Sequence, residues 1–211
     1  MHQYFIKIPE IVKKVFYRYI WSLPATGNEV YLTFDDGPHP AITPWVLDEL
    51  DKYGAKATFF CIGNNVRLYP DVYAKILQKG HAVGNHTYNH LNGWKTETDV
   101  YIDNIIEAAA VIKSNLFRPP YGRIRRQQAI AISKKVRMNM HVVMWDVLSA
   151  DFDKSYAPAQ CIDNVIKNVK PGSIIVFHDS EKAYPNLKVA LPEVLKDLTA
   201  RGFVCKRIEL E

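Results

Sequence analysis

Cysteine is scarce in this chain. There are three, Cys61, Cys161 and Cys205, far apart and irregularly spaced. That spacing fits neither a Cys-x-x-Cys metal site nor a disulfide framework, and the odd count points to reduced, buried thiols. No apolar run approaches the ~20 residues that a membrane-spanning helix needs. Residues 1–22 (MHQYFIKIPEIVKKVFYRYIWS) are interrupted by Lys, Arg and Pro9, so the continuous apolar core of a signal peptide is missing. The expectation from this is a cytoplasmic protein, with association to the cell envelope left open. Charge of one sign is not in large excess: 27 Lys and Arg stand against 22 Asp and Glu, a net of +5. So mild a surplus suits an anionic polymer or surface but does not argue for nucleic acid, and no nucleic-acid-binding motif is present. Linkers, low-complexity tracts and repeats are also missing, which excludes a modular array and leaves one domain.

What is present is alternation. Apolar and β-branched runs at 29–34, 56–62, 81–86, 116–118, 141–147, 173–178 and 203–208 read as strands. Between them lie helical patterns at 70–78, 96–114, 125–136, 159–169 and 187–200. A further helix starts at Thr43-Pro44, with Thr43 as N-cap, and ends at Gly54. Pro192 is expected to kink the last helix or mark its start. Strand-helix alternation implies parallel strands joined by crossover helices. The fold class is α/β, a distorted or incomplete (β/α) barrel with about seven parallel strands. Residues 29–211 form that domain. Residues 1–28 are a separate N-terminal segment, expected to be helical and packed on the domain. Its basic, amphipathic character also allows peripheral membrane contact.

Chemistry collects where these strands end. Tyr31-Leu32-Thr33-Phe34-Asp35-Asp36-Gly37-Pro38 starts as an apolar strand and delivers two adjacent carboxylates to its C-terminal end. Like charges side by side repel, and a metal, a cation or exposure to water must resolve them. Asp-Asp-Gly-Pro is also ordinary turn chemistry. The other strand ends supply Asn85-His86 with His90, Arg118 before Pro119-Pro120-Tyr121-Gly122, Trp145, Asp146 and Asp151, and His178-Asp179. In a parallel barrel all of these ends share one face. Two imidazoles and a carboxylate there could hold a metal with positions left open. Arg118 could keep a carboxylate ionised, and His178 could act as an acid at neutral pH. Trp94, Trp145 and Phe152 read as core or rim aromatics, with sugar stacking the alternative.

Four stretches carry a resemblance: Thr33-Phe34-Asp35-Asp36-Gly37, His86-Thr87-x-x-His90, Arg118-Pro-Pro-Tyr121-Gly122 and Val176-Phe177-His178-Asp179. In this order they resemble the motifs of the polysaccharide deacetylases, carbohydrate esterase family four, and the likeness runs from about residue 29 to 210. The resemblance implies a hydrolase that removes acetyl groups from sugars with one divalent metal, commonly zinc, though the same ligands accept cobalt, nickel or manganese. It implies Asp35 as catalytic base, and Asp36, His86 and His90 as metal ligands. Arg118 would tether the base, and the backbone N–H of Tyr121 would meet the oxyanion. His178 would be the general acid, with Asp151 orienting it. Val176 and Phe152 would wall the acetyl pocket.

Three positions depart from the family pattern. Phe152 stands where Trp is common, Leu148 where a polar residue is common, and Val176 where Leu is common. These bear on pocket shape and on Asp151, not on the metal ligands or base. The expected substrate is an acetylated glycan such as peptidoglycan or chitin oligomers. An O-acetyl esterase on xylan-like glycans, a small-molecule amidohydrolase and a non-catalytic glycan binder are the alternatives. Nothing in the residues sets the oligomeric state.

Overall fold

Residues 29–35, EVYLTFD, alternate between two buried environments. Val30, Leu32 and Phe34 join the apolar cluster beneath the helices, while Thr33 and Asp35 are buried on the other side of the strand. Period-two alternation with both faces buried marks a strand of a covered parallel sheet. The computed structural model describes residues 4–136 and 140–210. In chain order its strands are β1 (Glu29–Asp35), β2 (Ala57–Cys61), β3 (Ala82–Asn85), β4 (Leu116–Phe117), β5 (His141–Val142), β6 (Val147–Leu148), β7 (Ile174–His178) and β8 (Val204–Cys205). The helices are α1 (Glu10–Val15), α2 (Ile42–Asp51), α3 (Gly63–Leu68), α4 (Pro70–Gln78), α5 (Thr98–Val111), α6 (Arg126–Lys135), α7 (Pro158–Ile166) and α8 (Tyr184–Ala200).

The sheet runs β5-β4-β3-β2-β1-β7-β6, every pairing parallel, and β8 pairs with the start of β1. It curls into the distorted (β/α) barrel. Inside, a small apolar cluster of Phe60, Leu116, Val143, Ile174 and Ile208 fills the lower part. The larger core lies outside the strands, against α2, α7 and α8. All C-terminal strand ends therefore open on one face.

Five expectations are corrected, four on the elements and one on Asp146. First, the run 141–147 is not one strand. β5 pairs with β4 at one edge of the sheet and β6 pairs with β7 at the other. Residues 143–146 cross from edge to edge, so an uninterrupted apolar run hides a break set by distant partners. Second, the N-terminal segment has only the six-residue helix α1. Flanking it, Leu148 N–H donates to the Ile6 carbonyl, Ile8 N–H to Asp146, Ile20 N–H to Val142 and Met144 N–H to Ile20. Extended chain fits there because two strand edges would otherwise present unpaired backbone. Third, Thr43 is not an N-cap. It sits inside the first turn of α2, and His39 does the capping: Nδ1 accepts from the N–H groups of Ala41 and Ile42. Fourth, Pro192 does not mark the start of the last helix: α8 begins at Tyr184 and runs on through it. The Lys188 residue that loses its hydrogen-bond donor is exposed, so water can satisfy its carbonyl.

Asp146, expected on the open face, lies instead at the N-terminal end of β7. It is fully buried and accepts from Lys7 Nζ at 2.5 Å, Lys13 Nζ at 2.6 Å and Ser173 Oγ at 2.6 Å. Burial opposes its charge, but the bonds from Lys13, Lys7 and Ser173 hold its pKa below the ordinary value. Two lysines of the N-terminal segment are thus anchored inside the seam.

Candidate active site and metal centre

At the open face, β1 and β7 stand side by side with Asp35 in register with His178. Both side chains point into the barrel, because Thr33 and Asp35 share one face of β1 and Val176 and His178 share one face of β7. Arg118, just past β4, reaches across the interior with no exposure at all. Its guanidinium donates to Asp35 Oδ1 at 2.7 Å, Thr33 Oγ1 at 2.7 Å, the Met144 carbonyl at 2.8 Å and the Val143 carbonyl at 3.2 Å, and lies 4.0 Å from the centre of the Phe60 ring. A buried cation is tolerated only when paired and hydrogen-bonded, and this one is both. The resulting bridge locks one carboxylate oxygen of Asp35, a residue that lines the cleft.

Asp36, His86 and His90 present three donor atoms within 4.8 Å of one another. Asp36 Oδ1 lies 3.1 Å from His90 Nε2 and 3.7 Å from His86 Nε2. His86 Nδ1 sits 2.8 Å from the Arg118 carbonyl, an acceptor, so that nitrogen carries the proton and Nε2 keeps its lone pair. Burial drives the His86 pKa down to about 4, against the pull of Asp35 and Asp36, so the ring is neutral at pH 7. Burial works against the Asp36 charge, but the His90 hydrogen bond and the nearby histidines hold its carboxyl well below the usual range. Two imidazoles and one carboxylate form the donor chemistry a divalent cation takes, with room for further ligands.

His178 is set by Asp151, which accepts from the His178 backbone N–H and from Nδ1, both at 2.8 Å. Burial alone would lower the His178 pKa. Asp151 outweighs it, with Asp36 and Asp35 adding, and the ring is pushed up to about 9. Tyr121 lies on the rim beside His90, ring centres 4.7 Å apart. The cleft, with a volume of about 1100 Å³, is walled by Leu148, Phe152 and Val176 near His178 and by Trp94, Tyr121 and Arg123 on the opposite bank. Trp94 is exposed, with the Arg123 guanidinium 5.0 Å from its ring centre.

Backbone strain gathers here. The five non-glycine residues with positive φ among the described residues are Asp36 (79°), Thr87 (62°), His90 (55°), Tyr121 (61°) and Ala150 (62°). Each costs of order 1 kcal/mol or more, and such residues concentrate where a fold must aim groups at a common point. Neighbouring side chains hold this strain in place, and sequence reasoning missed two of them, Asn65 and Asn104. Asn65 Nδ2 donates to the Asp36 carbonyl, and Asn104 Oδ1 accepts the N–H groups of Tyr88 and Asn89 between the two histidines. Asp179 accepts from Gly37 N–H and Thr43 Oγ1, buckling the Asp35-Asp36-Gly37 turn to β7 and α2. A Cβ on Gly37 would sit 2.1 Å from Asp179 Oδ2. The signal for Asn104 was available: it interrupts the buried stripe of Tyr101, Ile105 and Ala108 on α5.

Against known families, residues 23–141 match the model described as polysaccharide deacetylase. The chain belongs to the polysaccharide deacetylase family. The matched stretch includes Asp35, Asp36, His86, His90, Arg118 and Tyr121, and stops before Asp151 and His178. A peptidoglycan-N-acetylglucosamine deacetylase of Bacillus cereus is 35% identical over 193 residues, covering 88% of this chain and 69% of that protein. A chitooligosaccharide deacetylase of Azorhizobium caulinodans is 33% identical over 197 residues, covering 83% and 90%. Among solved structures, the Bc1960 peptidoglycan N-acetylglucosamine deacetylase superposes with a TM-score of 0.84 at 32% identity over 95% of each chain. Members of this polysaccharide deacetylase family are hydrolases, and this chain is placed among those acting on carbon–nitrogen bonds other than peptide bonds. Among the described residues no helix is long and apolar enough to cross a membrane.

Proposed function

We propose that this polysaccharide deacetylase is metal-dependent and removes N-acetyl groups from the sugars of a peptidoglycan- or chitin-like glycan. One observation supports it above the rest: the Asp36-His86-His90 donor set adjoins an Asp35 fixed by Arg118 and a His178 fixed by Asp151, all in one cleft. A divalent cation in that set, zinc best suiting two imidazoles and a carboxylate and cobalt, nickel or manganese accepted by the same donors, supplies Lewis acidity toward the acetyl carbonyl and the attacking water.

The remaining steps belong to the chain. Asp35, held in place by Arg118, accepts a proton from the water as its oxygen bonds to the acetyl carbon. The Tyr121 N–H donates to the oxyanion that develops on the carbonyl oxygen. The C–N bond then breaks, and His178, protonated and oriented by Asp151, gives its proton to the departing sugar nitrogen. Acetate and a free amine leave. Adjacent aspartates coexist because Arg118 offsets one and the imidazole set, with its cation, offsets the other.

Acetate release from N-acetylglucosamine oligomers, peptidoglycan and acetylxylan, each with zinc or with chelator, tests the reading. Turnover on the N-acetylated glycans that chelator abolishes and zinc restores is expected, with Asp35→Asn inactive. Preference for acetylxylan would make it an O-acetyl esterase. Equal release by wild type and Asp35→Asn would remove the mechanism, and tight glycan binding with no release would make it a binding protein.

A further inference from the structure

Fourteen large hydrophobic residues are exposed among the described residues, and most are scattered singly, as on any soluble surface. Four are not. Ile11, Val15, Phe16 and Tyr17 fall within one stretch of the N-terminal segment, each between 50% and 73% exposed. Ile11 and Val15 are one helical turn apart on α1, a helix with no buried residue. Lys14 and Arg18 are exposed beside them, and among the described residues neither meets a carboxylate. The one acidic neighbour, Glu10, is already engaged by Lys13 at 2.9 Å and Lys170 at 3.4 Å.

Fraying does not account for this exposure. The segment is pinned on both sides of α1, by Lys7 and Lys13 on buried Asp146 and by the backbone bonds at Ile6, Ile8 and Ile20. Its opposite side faces the reaction: Tyr4, Ile8, Val12 and Trp21 line the same cleft as Asp35 and His178. A rigid element thus shows its inner side to the substrate cleft and an apolar, cationic outer side to solvent.

We propose that this outer side seats the enzyme on an anionic lipid bilayer. Aromatic and aliphatic side chains flanked by unpaired cations match the interface of such a bilayer: the rings and aliphatic groups enter the headgroup region and the cations meet lipid phosphates. An uncharged bilayer would satisfy only the apolar half. The apolar patch is short, so its hold is reversible and depends on charge.

Co-sedimentation with sucrose-loaded vesicles tests it without reference to turnover. Wild type is expected to pellet with vesicles of phosphatidylcholine plus phosphatidylglycerol, weakly with phosphatidylcholine alone, and less as salt rises. Lys14→Glu/Arg18→Glu should weaken binding at least about tenfold, since both reversed charges then meet the lipid phosphates. Phe16→Ser/Tyr17→Ser should weaken it as well. Both variants should keep the wild-type circular dichroism and the wild-type rate on a soluble acetylated oligomer, because none of the four residues lines the cleft. Folded wild type that ignores anionic vesicles at low salt, or binding that both variants retain, overturns the proposal. So does a wild-type dimer that Phe16→Ser/Tyr17→Ser dissociates without vesicle binding, since a second copy would then be what covers the patch.

Discussion

Along β1 and β7 five residue pairs stand in register, from Tyr31–Ile174 to Asp35–His178, whereas β5 and β6 offer two residues each and never meet. The first region is held by continuous backbone pairing and an apolar core on its outer face, including the Phe34–Phe59 and Phe34–Phe177 stacks. The second is closed by a borrowed segment and by a buried carboxylate between two lysines. Base and acid stand on the continuous side, where a displacement of 1 Å is most costly to reaction. The seam supplies cleft walls, Met144, Trp145 and Leu148. Rigid pairing is thus placed where chemistry needs geometry, and charge closes the gap where the barrel is incomplete.

The largest effect expected from attacking this contrast is on the continuous side. Asp35→Asn keeps the shape and the Arg118 hydrogen bond but removes the proton acceptor. We expect a loss in kcat/KM of about a thousandfold or more, about 4 kcal/mol, measured by acetate release with zinc present. His86→Ala should do the same by removing a donor of the cation set. Chelator-treated His86→Ala and wild type should then be equally inactive. If either variant retains a tenth of wild-type activity, the site is misassigned.

Next in size is the seam. Lys7→Met/Lys13→Met strands Asp146 as a buried, unpaired charge, and breaking a buried pair on one side costs about 3–5 kcal/mol. Chemical denaturation should show that loss, while residual folded enzyme keeps its kcat. Adding Asp146→Leu removes the stranded charge and should recover most of the stability. A double variant as stable as wild type would mean that water reaches Asp146 and the seam is not closed by charge.

How far these features could be read beforehand follows the same division. β1, β2 and β7 announce themselves as apolar runs rich in β-branched and aromatic residues, and β1 and β7 end in Asp35 and His178. The ends of β1, β3 and β7 bring Asp35, Asp36, His86, His90 and His178 to one cleft, with Arg118 and Asp151 buried against Asp35 and His178. The seam could not be read. HVVMWDV looks like one strand because the reason it breaks lies at Ile6, Ile8 and Ile20, more than a hundred residues away. Asp146 looked like a site residue because its lysines are equally remote. The α3 stretch GNNVRL is too short and polar to show periodicity, and Thr43 drew attention as a cap because His39 is an unusual residue for that task. Local pattern is legible, and partners distant in sequence are not.

A smaller effect separates His178 from its support. Asp151→Asn leaves a hydrogen bond to Nδ1 but removes the charge that outweighs burial of the ring. We expect roughly 10- to 100-fold loss in kcat, within the usual contribution of general acid catalysis. The alkaline limb of the pH–rate profile should also move to lower pH, because the imidazole now loses its proton earlier. A loss of kcat with an unmoved limb would mean that Asp151 only packs.

The smallest effect is on stability against pH, and the two regions should answer with opposite signs. His178 has a folded pKa raised from 6.5 to about 9, so the Asp151 pair stabilises fully below pH 6.5 and that contribution is lost as pH rises toward 9. Asp146 has a folded pKa depressed below 3.8, so the lysine pairs stabilise fully above that value and are lost as pH falls through the folded pKa. Melting temperatures across pH, in chelator so that no cation shifts the histidines, separate the two. The gap between wild type and Asp151→Asn should be widest below pH 6.5 and narrow by pH 9. The gap between wild type and Lys7→Met/Lys13→Met should instead persist on the alkaline side and narrow in acid, where the stranded carboxylate can take a proton. Gaps that narrow at the same end of the pH scale would mean that the two regions share one set of titrating groups, and the contrast between a paired side and a charge-closed side would fail.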